Sequence, residues 1–164
     1  VAYHRQSDLR RALSNIDAAI ASRPNDPFLR DLKGQILLES RRPADAVAVY
    51  SAAALLAPRE ALILGGLGRA HLAAGNASEA LRVLETARGR DFRDTRILRD
   101  LAVAYAQTGQ NAMASLVTAE RYALQGRLED ATIHAKRAEG ALARGSGPWK
   151  RAQDVLSAAQ NAGR

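Results

Sequence analysis

The sequence predicts an all-α fold, a right-handed α-α solenoid of antiparallel helix hairpins with a C-terminal capping helix. Three observations predict it. Small residues recur every 34 positions in interlocked series: Ala12, Ala46, Ala80 and Ala114; Ala19, Ala53 and Ala87; Gly34, Gly68 and Ala102. The composition is 47% hydrophobic but only 4% aromatic, which suits helices packed closely through small side chains and not a β-sandwich built from Val, Ile, Tyr and Phe. Within each period small and large residues pair at spacings of three and four, and so share one helical face.

The elements follow in order. Val1–Gln6 reads as the cut end of an earlier helix, and a start without methionine gives the expectation of a piece of a longer protein, with no signal peptide of its own. Helices are expected near 8–22, 27–40, 43–57, 60–74, 77–89, 94–108, 111–125, 128–143 and 148–162. Ser7, Arg41, Gly75 and Gly109 keep the 34-residue spacing at the turns, and Pro24, Pro58 and Phe92 keep it just beyond helix ends. Asn25-Asp26-Pro27 supplies an N-cap and a proline start, and Pro43 sits at a helix start where its missing N–H is not needed. Each first helix has a small residue at a close approach (Gly34, Gly68, Ala102) followed three positions later by Leu37, His71 or Tyr105. Each second helix repeats the pairing in Ala46 with Tyr50 and Ala80 with Leu84. One hairpin cannot bury its apolar stripe alone, whereas stacked hairpins share a core.

The register breaks once. Gly126 falls 17 residues after Gly109, half a period, so the helix over 111–125 serves as second arm of one hairpin and first arm of the next. Gly145-Ser146-Gly147-Pro148 then interrupts the chain. Trp149, Ala152, Val155, Leu156 and Ala159 form the apolar face of a terminal capping helix. The expected organisation is one domain over 1–164, with repeat units near 1–26, 27–60, 61–94, 95–126 and 111–144, and a cap at 148–162.

The search for chemistry excludes more than it finds. There is no cysteine, hence no disulfide, thiolate zinc site or cysteine nucleophile. His4, His71 and His134 never pair at ligand spacing, and His71 is expected as a packed, hydrogen-bonded core residue. No H-E-x-x-H, G-x-S-x-G or phosphate-loop pattern occurs. Gly65-Gly66-Leu67-Gly68 lies within a helical pattern and reads as close packing. Glu129–Asp130 reads as helix-dipole compensation in a first turn. No apolar run approaches the ~18 residues of a membrane span. The net charge of +7 is spread over arginines that alternate with Asp and Glu. Without interleaved aromatics or an arginine stripe, nucleic acid is not the expected partner.

The period is that of the tetratricopeptide repeat (TPR). Two stretches resemble a narrower family: Asn25-Asp26-Pro27-Phe28 with Leu32–Glu39 and Ala44–Ala46, and Ala119–Tyr122 with Gly126–Leu128, Lys136–Ala138 and Trp149–Asp154. Together they resemble the C-terminal TPR region of bacterial periplasmic zinc metalloproteases of the β-barrel-assembly-enhancing protease type, over nearly the whole chain. That resemblance implies a noncatalytic protein-binding tail in the periplasm. Zinc would be held only by a separate H-E-x-x-H domain, and the partners would be that domain in cis or envelope proteins. No catalytic or metal-binding residue carries over. The alternative is a free-standing TPR adaptor of a secretion, pilus or envelope complex. In TPR proteins first-helix side chains line the groove, which makes Asp31, Gln35, Glu39, Arg69, Arg96, Arg99 and Gln107 the candidate binding residues.

Overall fold

A computed structural model describes the backbone of residues 2–162 and the side chains of residues 8–162. Among them are nine helices and no strand: α1 (Ala2–Ser22), α2 (Pro27–Glu39), α3 (Pro43–Leu56), α4 (Ala61–Ala73), α5 (Ala77–Arg90), α6 (Thr95–Gln107), α7 (Asn111–Leu124), α8 (Leu128–Ala141) and α9 (Gly147–Ala162). They group into two compact units, Val1–Arg90 and Asp91–Arg164. No described helix is long and apolar enough to cross a membrane.

The helix ends show why the sequence breaks where it does. Asp26 accepts the Phe28 N–H at 2.9 Å and the Leu29 N–H at 3.4 Å, and Pro27 opens α2. Asp94 does the same for α6 through the N–H groups of Arg96 and Ile97. Four hairpin turns share one closure. The N–H groups after Ser40, Ala74, Thr108 and Gln125 reach back over the last helical turn, as in Arg42 to the Leu37 carbonyl at 2.9 Å and Gln110 to Tyr105 at 2.8 Å. This closure requires a left-handed residue. Gly75, Gly109 and Gly126 supply it at φ of 80°, 78° and 72°, and Arg41 supplies it at 58° despite its Cβ.

One expectation is corrected. The stub at Val1–Gln6 is not the end of a separate helix, because α1 runs unbroken from Ala2 to Ser22. Ser7 shares its series with Arg41 and two turn glycines, yet it stays helical. No glycine or proline lies beside it to stop the helix. Ala2 lies outside the described side chains, and Leu9 and Leu13 are half-buried.

In the first unit α2 packs on α3, α3 on α4 and α4 on α5, while α2 also touches α4. Tyr50, 1% exposed, is wedged between two glycines. A Cβ on Gly34 would lie 2.7 Å from its Cδ2 and Cζ, and one on Gly66 would lie 2.6 Å from Cζ. Gly68 likewise faces Leu84, whose Cδ2 would stand 2.6 Å from an added Cβ. The glycine run of α4 is thus a packing surface. Ala46, Ala53, Ala80 and Ala87 are fully buried.

In the second unit α7 packs on both α6 and α8, and α9 packs on both α8 and α7. The α7–α9 contact joins helices two apart in the chain, as α2–α4 does in the first unit. Ala119, Ala131, Ala135 and Val155 form one cluster across these helices, and Leu116, Ala138 and Ala152 form another. Arg151 of α9 grips Glu120 of α7 through two bonds of 2.7 and 2.8 Å. Trp149 and Ala159 are half-buried on the same face.

Candidate functional site

The candidate binding residues separate by unit. In the first, Asp31 is turned inward at 7% exposure, where the Tyr50 hydroxyl donates to it and Gln35 Nε2 donates at 2.7 Å. Burial first, then the Asp31 charge and hydrogen bond, push the Tyr50 hydroxyl well above its ordinary pKa of 10.0, against an opposing pull from Arg69. Asp31, Gln35 and Arg69 therefore gather around Tyr50, with Asp31 committed to the interior. Glu39 is exposed at the end of α2.

In the second unit Arg96 bonds back to its own helix cap, with Nη2 2.9 Å from Asp94 Oδ2. Burial raises the Asp94 pKa, but the Arg96 hydrogen bond, the two cap N–H groups and the Arg96 charge outweigh it and hold the carboxyl below its usual 3.8. Gln107 is exposed at the end of α6. Arg99 is different. It lines a groove of about 490 Å³ formed by α6, α7 and α8.

That groove has a small apolar floor in Ala102, Val103, Ala106 and Ala114. Ala102 and Ala114 belong to the small-residue series, and here their size leaves an open channel; both are half-buried. Asn111, Ser115 and Thr118 add neutral polar groups, with the Thr118 hydroxyl donating to the Ala114 carbonyl at 2.8 Å. The basic lining is Arg99, Arg121 and Arg137, with the His134 imidazole beside them and no carboxylate among the lining residues. Arg99 is paired with Asp100 at 2.9 Å. Arg121 and Arg137 have no ion pair among the described residues.

Arg121 lies against an aromatic ring. Its guanidinium carbon lies 4.6 Å from the Tyr122 ring centre, with Arg127 at 4.3 Å from the same centre, and its Nε is buried without a hydrogen-bond partner. The His134 ring sits 5.5 Å from that of Tyr122, and its Nδ1 is also buried and unpartnered. Burial, then Arg137, lower the His134 pKa below 6.5; Asp130 opposes them and Arg121 adds to the lowering. His71 in the first unit is half-buried with an unpartnered Nδ1, so it is packed as expected but not hydrogen-bonded at that nitrogen.

Arg121, Arg137 and His134 were not among the residues that the first-helix rule selects. The rule samples α2, α4 and α6, whereas the half-period break makes α7 a first arm as well and brings α8 against it. The break at Gly126 was the signal that could have found them. Among the described residues no three His, Asp or Glu side chains gather as metal ligands would. The Glu129–Asp130 pair sits in the first turn of α8, with Asp130 bonded to Arg127 at 2.8 Å.

Comparison with known proteins agrees with this architecture. Tetratricopeptide-repeat family models match residues 2–61 and residues 37–102. No curated protein sequence gives a match. Among solved structures, a crystal structure of MamA superposes with a TM-score of 0.70 at 16% identity, over 96% of this chain and 90% of that one. MamA of Desulfovibrio magneticus RS-1, from position 41 to its end, gives 0.66 at 21% identity, over 77% of this chain and 71% of that one. A structure of Naa15/Naa10 bound to HypK-THB gives 0.56 at 17% identity, over 95% of this chain and 27% of that one. At such identities the likeness is one of fold. The chain is an all-α tetratricopeptide-repeat fold, with the repeat's family signature running through residues 2–102.

Proposed function

We propose that the chain is a noncatalytic protein-binding TPR domain that works through the groove of its second unit. The observation that carries this reading is the groove itself, a channel with an apolar floor and two arginines that have no ion pair among the described residues. Helix-hairpin stacks present such channels as recognition surfaces. A photo-reactive residue in place of Val103 should cross-link a protein partner in the parent cell. The same probe at exposed Arg59, outside the groove, should not. Equal labelling from both positions would overturn the reading.

The finer placement is as the tail of a periplasmic zinc metalloprotease. Its support is the resemblance of Asn25–Glu39 and Ala119–Asp154 to that family. On this reading the chain holds no cofactor, zinc belongs to a separate catalytic domain, and the partner is that domain or an envelope protein. The coding sequence upstream of Val1 tests it. An H-E-x-x-H segment there supports the protease tail; its absence overturns that placement and favours the free-standing adaptor of a secretion, pilus or envelope complex.

A further inference from the structure

We infer that the groove of the second unit receives an acidic segment of a partner protein, a Asp or Glu side chain resting on Arg121 and Arg137 beside an apolar side chain on Ala102, Val103 and Ala106. The inference rests on the protein-binding reading and names its ligand chemistry.

The first unit provides the contrast. Its clefts, of about 340 and 250 Å³, also contain cations, but these are already satisfied. Lys33 is paired with Asp17 and Arg42 with Asp45, and Arg30 donates to the Pro24 and Asp26 carbonyls. In the second-unit groove only Arg99 has such a partner, Asp100, and Arg121 and Arg137 have no ion pair among the described residues. Beside burial, which leads, Arg137 and Arg121 lower the neighbouring imidazole against Asp130, and an incoming carboxylate would offset the positive field of the two guanidiniums. Arginine suits that role because its planar fork meets a carboxylate with two bonds.

The groove is also prepared for a ligand. The Tyr122 ring against Arg121 favours its position before binding, so less side-chain freedom remains to be lost. The alanine floor is too shallow for a folded domain's core, but it accepts one apolar side chain of an extended or helical segment. Protein is favoured over nucleic acid because His134 is the only ring in the lining, leaving no platform for successive bases.

The test is a panel of random short peptides, C-terminally amidated, screened against the full chain. The expected binders are enriched in Asp or Glu next to Leu, Ile, Val or Phe. A selected peptide should bind about tenfold more weakly to Arg137→Glu, and more weakly by a smaller factor to Arg137→Lys, which keeps the charge but loses the fork. Arg59→Glu changes the net charge equally and should leave binding within about twofold. Circular dichroism confirms that each variant is folded. Equal weakening by Arg137→Glu and Arg59→Glu would show general charge attraction and overturn the proposal. Binders without acidic enrichment, indifferent to Arg137, would overturn it while leaving the protein-binding reading intact. Competition by inorganic phosphate as strong as by the peptide would reduce the groove to an anion site and overturn it too. A panel with no binder at all would instead strike the protein-binding reading itself.

Discussion

Tyr50 is held by two glycines from two different helices, and its hydroxyl is anchored on a buried aspartate. That arrangement sets the tolerance of each glycine. Gly34→Leu should lower stability by about 3 kcal/mol, because even its first carbon collides with the Tyr50 ring. Gly140, in α8 with nothing within 4 Å of an added Cβ, should behave oppositely: Gly140→Ala gains about 0.5–1 kcal/mol of helix propensity. Arg41 holds the left-handed turn position that Gly75 and Gly109 occupy in later hairpins, so Arg41→Gly should stabilise by about 1 kcal/mol. Urea melts decide all three, and equal midpoints for Gly34→Leu and wild type would refute the packing described here. The two half-buried imidazoles add a pH dependence. Burial leads in lowering both pKa values below 6.5, with Arg82 acting on His71 against Glu79, and Arg137 and Arg121 acting on His134 against Asp130. A lowered folded pKa favours the neutral form. Its stabilisation is complete above 6.5 and is lost as pH falls through the folded values. Melting temperature should therefore drop between pH about 7.5 and about 5.5, and His134→Gln should flatten part of that drop.

At the scale of elements, α9 is joined to the helices beneath it by two kinds of contact. Ala152 and Val155 enter the α7–α8 clusters, and Arg151 closes a two-bonded pair with Glu120. Both partners are partly shielded from solvent, so Arg151→Ala should destabilise by about 1–2 kcal/mol. Arg151→Lys should recover only part, since an ammonium cannot bridge both oxygens. Ending the chain after Gly147 should expose the alanine clusters and promote association, which light scattering would detect. A truncated chain that stays monomeric with an unchanged melt would show that α9 covers nothing. This element was legible in the sequence because its apolar positions keep a helical spacing and Gly145–Pro148 marks its start. The groove was less legible. Its cations lie on helices whose faces depend on the half-period shift, and whether an arginine is paired or free depends on rotamers that no spacing encodes. Asp31 shows the same limit from the other side. Its place on a first helix suggested an open surface, but Tyr50, 19 residues on, draws it inward.

At the scale of the molecule, period and composition were enough for the architecture, because each hairpin is a local object whose turn, cap and small-residue contacts repeat. Helix ends fell within two residues of expectation except at the start of α1, where no breaker separates Ser7 from what precedes it. Locality has an experimental consequence. The second unit holds its own clusters of Leu116, Ala119, Ala131, Ala135, Ala138, Ala152 and Val155, contributed by α7, α8 and α9 alone. Residues 91–164 expressed without the first unit should therefore fold around them. Trp149 is the sole tryptophan and is half-buried on α9, so its emission reports the docking of that helix. The fragment should show helical circular dichroism and a Trp149 emission maximum matching that of the full chain, moving to longer wavelength in urea. Hydrogen exchange should protect the α7 and α8 amides in the fragment as in the whole. If Trp149 in the fragment instead emits as it does in urea, the α7–α9 core needs the first unit to form, and the division into two self-contained units fails.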